Sequence, residues 1–227
     1  VPTGIPNFDR LIEGGFQRRS VNLVTGGAGS GKTIFAIQFL INGIEKYNEP
    51  GMYITFEERK DSLYKDMLEF GWDLAKYEKQ GKFIFLNYKP AQVKKVLVEG
   101  GGVIDTIITE SKIKRLVIDS ITSFTLLYTS ELAKKQASLQ LFELISKWGL
   151  TALLTSQNDS PYESTIIASL DFEVDGIILM YHVRKKGARI RAIEILKMRG
   201  THHAEETMLL EITSNGIKVS PQEIVTF

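Results

Sequence analysis

Gly26-Gly27-Ala28-Gly29-Ser30-Gly31-Lys32-Thr33 is the stretch that decides the fold of this chain. It completes the spacing G-x-x-x-x-G-K-T, in which glycines let the backbone turn tightly and direct its N–H groups inward, toward a phosphate. Residues 21–25 before it are mostly apolar and typical of a buried strand, and residues 34–41 after it are typical of a buried helix. A strand, this loop and a helix in that order predict a phosphate-binding loop, with the positive end of the helix directed at the same anion.

Lys32, Thr33 and Asp119 are the residues that a nucleotide with its metal would need from such a fold. The lysine can reach β- and γ-phosphate oxygens, and the threonine hydroxyl can be a ligand of Mg²⁺. Asp119 ends the apolar run 116–118, and the carboxyl ends of strands are where ligands bind in open parallel sheets. Alone, an aspartate there would be interpreted as a cap of the next turn. Together with Lys32 and Thr33, we interpret Asp119 as the acid that organises the Mg²⁺ shell.

Polar residues at the ends of three other expected strands are candidates for catalysis. Glu57 and Glu58 follow residues 52–56 and could polarise an attacking water, although an acidic pair that caps the next helix fits the spacing equally well. Gln157 could contact the γ-phosphate, but an ordinary turn residue is the simpler interpretation. Lys197 and Arg199 share one face of a late strand and suit phosphoryl oxygens, but on sequence alone a solvated basic strand is the safer interpretation.

Composition excludes several classes of protein. The 227 residues contain no cysteine, which excludes disulfides and thiolate chemistry, and only three histidines, which argues against a structural metal site. The formal net charge is +1 and 43% of the residues are hydrophobic, so bulk charge predicts neither nucleic-acid nor membrane affinity. No apolar run reaches the ~18 residues of a membrane span, and no signal segment opens the chain, which predicts a cytoplasmic protein.

The order of the expected elements predicts an α/β fold. Strand-like runs alternate with helical ones as far as residue 155, which favours a mostly parallel central sheet flanked by helices. Residues 176–181, 189–197 and 208–212 then look extended, with breaks at 185–187 and Gly200, which predicts antiparallel strands that extend the sheet. Since no linker interrupts the chain, we expect one domain over residues 1–227.

Four stretches of the chain resemble the RecA superfamily of P-loop NTPases, and within it the KaiC-like ATPases and the RadA paralogues of archaea. They are residues 3–16, the phosphate loop 26–33, residues 55–58 with 70–74, and residues 197–203 (Lys-Met-Arg-Gly-Thr-His-His). They occur in the order of the family and span nearly the whole chain. The resemblance implies a RecA-like fold that binds ATP or ADP with Mg²⁺ and hydrolyses ATP slowly.

The resemblance also implies roles for individual residues. Glu57 and Glu58 resemble the catalytic glutamates of the family. Lys197 and Arg199 resemble cationic fingers that reach the γ-phosphate bound by a neighbouring subunit, an arrangement in which the finger accelerates the reaction on the order of 10³-fold or more.

The same resemblance implies an assembly. Thr201 and His203 fall where family members approach the neighbour's nucleotide. ATP would then lie between the protomers of a homo-oligomeric ring, which we expect to be a hexamer.

Two features of the sequence depart from better-known relatives. Asp171-Phe172 stands where self-phosphorylating members carry adjacent Ser and Thr, so we expect no autokinase activity. The loop 157–174 contains no Lys or Arg, whereas DNA-threading relatives need cations near phosphates. The basic hairpin 184–191 remains available as an outer contact for nucleic acid.

Three functions are therefore compatible with the sequence. The first is a ring-forming Mg²⁺-dependent ATPase that acts as a nucleotide-driven switch. The second is a DNA-associated recombination or repair modulator in which ATP is mainly structural. The third is a nucleotide-gated interaction scaffold that does not hydrolyse ATP to any extent.

Overall fold

The computed structural model describes residues 1–89, 92, 96, 101–157, 173–185 and 187–226. Within these ranges the strands form one nine-stranded sheet in the order β3-β2-β4-β5-β1-β6-β7-β8-β9. The strands are β1 (Val21–Gly26), β2 (Gly51–Thr55), β3 (Phe83–Asn87), β4 (Arg115–Asp119), β5 (Thr151–Gln157), β6 (Gly176–Lys185), β7 (Ala188–Met198), β8 (Met208–Thr213) and β9 (Gly216–Ile224). The described helices are α1 (Lys32–Tyr47), α2 (Lys60–Leu68), α3 (Leu74–Lys79), α4 (Val103–Glu110), α5 (Ile121–Thr125) and α6 (Glu131–Trp148), with a 3₁₀ helix at Asp9–Ile12.

Strand direction divides the sheet into two parts. β1 to β6 run parallel to their neighbours within that part, whereas β6, β7, β8 and β9 pair antiparallel in succession. The α/β fold with a parallel sheet and an antiparallel C-terminal extension is therefore confirmed. The single domain over residues 1–227 stays a prediction.

Two apolar cores lie on the two faces of the sheet. Every residue of β1 is buried, so its side chains alternate between the cores: Val24 faces α1, and Leu23 faces the opposite core, to which α4 and α6 contribute. α1 is apolar along most of its length because it packs against the sheet directly behind the phosphate loop. This packing fixes the start of α1, and hence Lys32 and Thr33, relative to the end of β1.

Expected and observed elements differ mainly where the elements are short or polar. The strand and helix expected on either side of the phosphate loop and the three extended runs expected after residue 175 are present, with bounds shifted by a few residues, and the turn between β6 and β7 includes Gly187. The sequence reasoning missed α3, α5 and β9. α3 and α5 are only six and five residues long, too short for a helical pattern to show. β9 contains Pro221 and several exposed polar residues, a composition that edge strands tolerate but that gives little strand signal.

Candidate nucleotide site

The backbone of the phosphate loop has the conformation that its glycines permit. Gly31 precedes α1 with φ = +105°, in the left-handed region that favours glycine, and it provides no side chain to cap the helix. A Cβ on Gly26 would lie 2.1 Å from the carbonyl oxygen of Met180, so no larger residue fits there. α1 also has no acidic residue in its first turn. Its first N–H groups therefore remain available to an anion, as a phosphate site requires.

Lys32 lies folded over the loop. Its Nζ donates hydrogen bonds to the carbonyl oxygens of Gly26 at 2.7 Å and Gly27 at 2.9 Å. A phosphate in the loop would offer this ammonium group charged acceptors, which form stronger hydrogen bonds than neutral carbonyls do. Ser30 in the same loop has a buried hydroxyl with no hydrogen-bond partner. The loop therefore holds polar groups that fit a bound phosphate.

Asp119 and Thr33 come together beside the loop. The Thr33 hydroxyl donates to Asp119 Oδ2 at 2.8 Å, although the two residues are 86 positions apart in the sequence. Asp119 ends β4 and is only 9% exposed. Tyr53 donates to the same oxygen at 2.8 Å, and Thr155 donates to Oδ1 at 2.5 Å. The carboxylate is thus held by three hydroxyl donors, of which the sequence reasoning anticipated only Thr33.

Mg²⁺ fits this arrangement as a metal shared between protein and nucleotide. Among the described residues, no three histidine, aspartate or glutamate side chains cluster into a metal site of their own. The Thr33 hydroxyl and the Asp119 carboxylate are hard oxygen ligands of the kind that Mg²⁺ prefers, and Mg²⁺ commonly takes its other ligands from phosphates and water. These two residues would hold the ion only together with a nucleotide.

Glu57 and Glu58 follow β2 on the side of the sheet where β4 also ends, at the carboxyl ends of the parallel strands. Both backbone N–H groups donate to the Thr55 hydroxyl, at 3.3 and 3.0 Å, so both residues belong to the turn that leaves β2. The exposed side chain of Glu57 accepts a hydrogen bond from Ser123 of α5. Glu58 is half-buried, and burial, followed by the nearby charges of Asp119, Asp66 and Glu57, raises the pKa of its carboxyl above the ordinary value.

Gln157 ends β5 next to the loop. It lies opposite Gly26 in the parallel pairing of β1 and β5. Its side chain is exposed, and its backbone N–H donates to the Thr122 hydroxyl at 2.9 Å. This position is compatible with a contact to nucleotide. Residues 158–172, which follow it, lie outside the described residues. They include Asp171-Phe172, on which the expected lack of autokinase activity rests.

Arg191 is a cation at the loop that the sequence reasoning did not single out. It lies on β7 opposite His182 of β6, and its Nε donates to the carbonyl oxygen of Gly29 at 2.9 Å. It lines a cleft of about 320 Å³ together with loop residues and Ile212 of β8. That volume is within the range of small-molecule sites. The sequence offered only one signal, the run of basic residues from 184 to 199, and did not indicate which of them would face the loop.

Lys197 and Arg199 lie at the other end of β7, away from their own phosphate loop. Lys197 pairs with Ile177, which is level with Leu23 of β1, and its Nζ donates to the carbonyl oxygen of Val174 at 2.8 Å. Arg199 follows the strand, and its guanidinium lies 3.8 Å from Asp175. At ~3.3 Å per residue, Leu23 precedes the start of the loop by roughly 10 Å. The two cations are therefore not brought to the nucleotide cleft of the same chain.

Thr201 and His203 lie in the connection between β7 and β8. Gln17 donates from one amide nitrogen to the carbonyl oxygens of Arg199 and Gly200, at 3.0 and 3.1 Å, and to the Thr201 hydroxyl at 3.3 Å. His203 Nδ1 is 3.0 Å from the carbonyl oxygen of Ala204. Gln17 thus holds the turn that carries Arg199, a contact for which the sequence gave no signal.

Comparisons with known proteins agree with this geometry. A model of the KaiC ATPase family matches residues 1–224. A UPF0273 protein of Thermotoga maritima is 35% identical over 98% of this chain and 96% of its own length. The circadian clock oscillator protein KaiC of Synechococcus elongatus is 33% identical over 96% of this chain, which matches only 44% of that longer protein. The crystal structure of a KaiC-like protein from Pyrococcus horikoshii is 38% identical, covers 97% of this chain and 98% of its own, and superimposes with a TM-score of 0.87.

Proposed function

Because the chain belongs to the KaiC family of ATPase domains, we propose that it is a Mg²⁺-dependent ATPase that works as a ring. ATP would lie between protomers, and its hydrolysis would switch the ring between states. A hexamer and a cytoplasmic location are the further predictions of this proposal. Within the described part of the chain, none of the helices combines the length and apolarity that a membrane span needs.

The hydrogen bond between Thr33 and Asp119 is the observation that carries the proposal. It joins the first turn of α1 to the carboxyl end of β4 at 2.8 Å, directly beside the phosphate loop. A threonine hydroxyl and an aspartate meeting at this place are the two protein groups that hold Mg²⁺ in P-loop NTPases. A phosphate loop used only to bind an anion would not need a buried carboxylate beside it.

The residues of one chain account for binding and for activation of water. The loop N–H groups and Lys32 would hold the phosphates, and Thr33 and Asp119 would hold the metal. When bound, Mg²⁺ neutralises charge on the β- and γ-phosphate oxygens. Glu58, whose pKa is raised, would accept the proton of the attacking water, and Glu57 would help to orient that water.

The second half of the site would come from a neighbouring protomer. Lys197 and Arg199 lie level with the start of β1 and not with the loop, which supports action on another subunit's nucleotide. Thr201 and His203 follow in the same connection and would approach that nucleotide with them. Positive charge that arrives from a neighbour stabilises the transferring phosphoryl group only after assembly, so ring formation would control turnover.

A test with two variants separates binding from hydrolysis. Lys32→Ala should abolish ATP binding, because it removes the ammonium group that reaches the phosphates. Lys46→Ala is the matched control, since Lys46 lies at the other end of α1 with an exposed ammonium group. The measurements are nucleotide affinity and phosphate release on the same sample. Micromolar ATP affinity retained by Lys32→Ala would overturn the loop assignment.

The scaffold alternative is tested by changing both Glu57 and Glu58 to Gln. We expect this variant to bind ATP normally and to release almost no phosphate. If its output in the cell is unchanged, hydrolysis is incidental and the scaffold interpretation is correct.

The DNA-bound alternative receives no support from the family or from the relatives named above. It would require binding to duplex or single-stranded DNA that weakens steeply as salt is raised.

A further inference from the structure

Tyr53 is a buried tyrosine in the middle of a strand that packs against the apolar core. It is fully buried, and its ring stacks on Phe85 of the neighbouring strand with centroids 5.9 Å apart. Thr55 of the same strand pairs with Asp119, and Tyr53, two residues earlier, lies on the same face. The hydroxyl reaches along that face to Asp119 Oδ2 at 2.8 Å. A phenylalanine would pack in the same space, so the hydroxyl is the feature that needs an explanation.

The three hydroxyl donors use most of the acceptor capacity of Asp119. Each carboxylate oxygen has about two lone-pair sites. Among the residues that the structure describes, Thr33 and Tyr53 donate to Oδ2 and fill both of its sites, and Thr155 donates to Oδ1. A tyrosine hydroxyl, with an ordinary pKa of about 10, is protonated at neutral pH, so the phenol is the donor and the carboxylate the acceptor. With these described donors counted, one acceptor site remains on Oδ1.

We propose that Tyr53 is a positioning residue that fixes the Asp119 carboxylate and thereby favours Mg²⁺ over the larger Ca²⁺. With Oδ2 saturated, Asp119 can offer the ion or its water a single acceptor site in one fixed direction. Mg²⁺ demands near-ideal octahedral geometry and retains waters, whereas Ca²⁺ tolerates irregular and bidentate carboxylates. A carboxylate that cannot rotate or open a second oxygen suits Mg²⁺ and disfavours Ca²⁺. This inference rests on the proposed function, because it concerns the same metal site.

Tyr53→Phe is the variant that removes only the hydroxyl. Outer hydrogen-bond partners of a metal site typically contribute 10- to 100-fold to metal affinity. We therefore expect Mg²⁺ to bind the ADP complex about 10-fold or more weakly, and Ca²⁺ to lose several-fold less. ADP affinity in the absence of metal should stay within about twofold, since the hydroxyl does not belong to the phosphate loop.

The measurement is Mn²⁺ binding to the full chain with saturating ADP, followed by electron paramagnetic resonance and by displacement with Mg²⁺ or Ca²⁺. Tyr181→Phe is the matched control. Tyr181 is also buried and donates to a carboxylate, Glu194, at 2.7 Å, but it lies in the core on the opposite face of the sheet from Tyr53. This control should lose a comparable amount of thermal stability and leave the Mg²⁺ to Ca²⁺ ratio unchanged.

Every outcome bears on the inference. If Tyr53→Phe leaves both affinities within twofold of the native values, or lowers both equally, Tyr53 does not set the preference and the inference is wrong. If it unfolds, Thr155→Val tests the same idea, because it removes the donor on Oδ1 and should shift the ratio in the same direction. A native chain that takes up no Mn²⁺ with ADP would overturn the proposed function as well, so the two failures are distinguishable.

Discussion

Glu57 and Glu58 are adjacent in the sequence but lie in different surroundings. Glu57 is exposed and accepts a hydrogen bond from Ser123, whereas Glu58 is half-buried near Asp119. Burial and the surrounding carboxylates raise the pKa of Glu58, so this pKa lies closer to neutral pH than that of an ordinary glutamate. A general base works best when its pKa is near the working pH. We therefore assign proton acceptance to Glu58 and orientation of water to Glu57.

The pH dependence of hydrolysis tests this assignment. Glu58→Gln should lower phosphate release at saturating Mg·ATP by about 10²–10⁴-fold, the typical contribution of a general base. In the native protein the rate should fall on the acid side with a midpoint above the ordinary pKa of glutamate, because protonation removes the base. Glu57→Gln should be less impaired and should keep this acid limb. If Glu57→Gln loses the limb and Glu58→Gln keeps it, the roles are reversed.

Glu58 should also affect the stability of the ligand-free protein, with a sign set by its pKa. A carboxyl whose pKa is raised by folding holds its proton more tightly in the folded state than in the unfolded state. Its contribution is therefore present at low pH and is lost as pH rises through the folded pKa. Glu58→Gln should raise the unfolding temperature at neutral pH, and the gain should shrink on acidification. A gain that does not depend on pH would show that ionisation is not its cause.

The residues of the candidate site differ in how well the sequence predicts them. Asp119 could be predicted because an acid that ends an apolar run is a recognisable pattern. Tyr53 could not, since a tyrosine within a buried strand is indistinguishable from any other core aromatic until the neighbouring strand is placed beside it. Gln17 was missed for a similar reason, because its three acceptors lie more than 180 positions away.

At the scale of elements, the pairing of β6 with β7 decides which cations lie beside the phosphate loop of their own chain. Arg191 and Lys197 lie on the same strand, but the register brings Arg191 to Gly29 and leaves Lys197 level with Leu23. The sequence shows both residues in one basic run and cannot separate them. The register includes an irregularity between Ile177 and Ile178, which a simple count of alternating residues would not anticipate.

This separation makes a prediction about mixed rings. Arg199→Ala should bind ATP with native affinity and hydrolyse it slowly, because in the proposed ring the affected cation acts at the neighbour's site. Lys32→Ala should be inactive because it binds no ATP. Mixing the two should restore part of the activity, since a Lys32→Ala protomer can offer its intact Arg199 to the ATP held by an Arg199→Ala protomer. The measurement is phosphate release as a function of the mixing ratio.

Arg189→Ala is the matched control for this experiment. Arg189 is an exposed arginine near the start of β7, the strand that Arg199 follows, and it has the same charge, so its loss should leave hydrolysis near the native rate. Activity that never exceeds the sum of the separate proteins, with mixed rings shown to form, would contradict action in trans.

At the scale of the whole molecule, the candidate residues lie at two opposite ends of the strands of the sheet. The carboxyl ends of β1, β2, β4 and β5 carry the loop, the glutamates, Asp119 and Gln157. The opposite ends of these strands lie near the turn with Arg199, which Gln17 and Asp175 hold in place. If these residues form one site, as proposed, they can meet only when chains associate head to tail, and a closed ring is the finite form of such an association.

The fold class followed from the sequence because alternation of strand and helix is a local property. Strand β1, the loop and α1 are contiguous, so their order alone determined their arrangement. The assembly is not local, and no property of residues 1–227 read one after another gives the number of protomers. The expectation of a ring therefore came from the resemblance to a ring-forming family and not from the periodicity of apolar residues.

Dilution tests the dependence of activity on assembly. If each site needs Arg199 of a neighbour, phosphate release per protomer should be constant at high protein concentration and should fall when rings dissociate. We expect the concentration at half-maximal specific activity to match the midpoint of dissociation measured by mass photometry with Mg·ATP present. Arg199→Ala should show a flat, low specific activity over the same range, because assembly no longer completes its sites. A native monomer that retains full specific activity would contradict a site shared between protomers, and the cationic turn would then need another role.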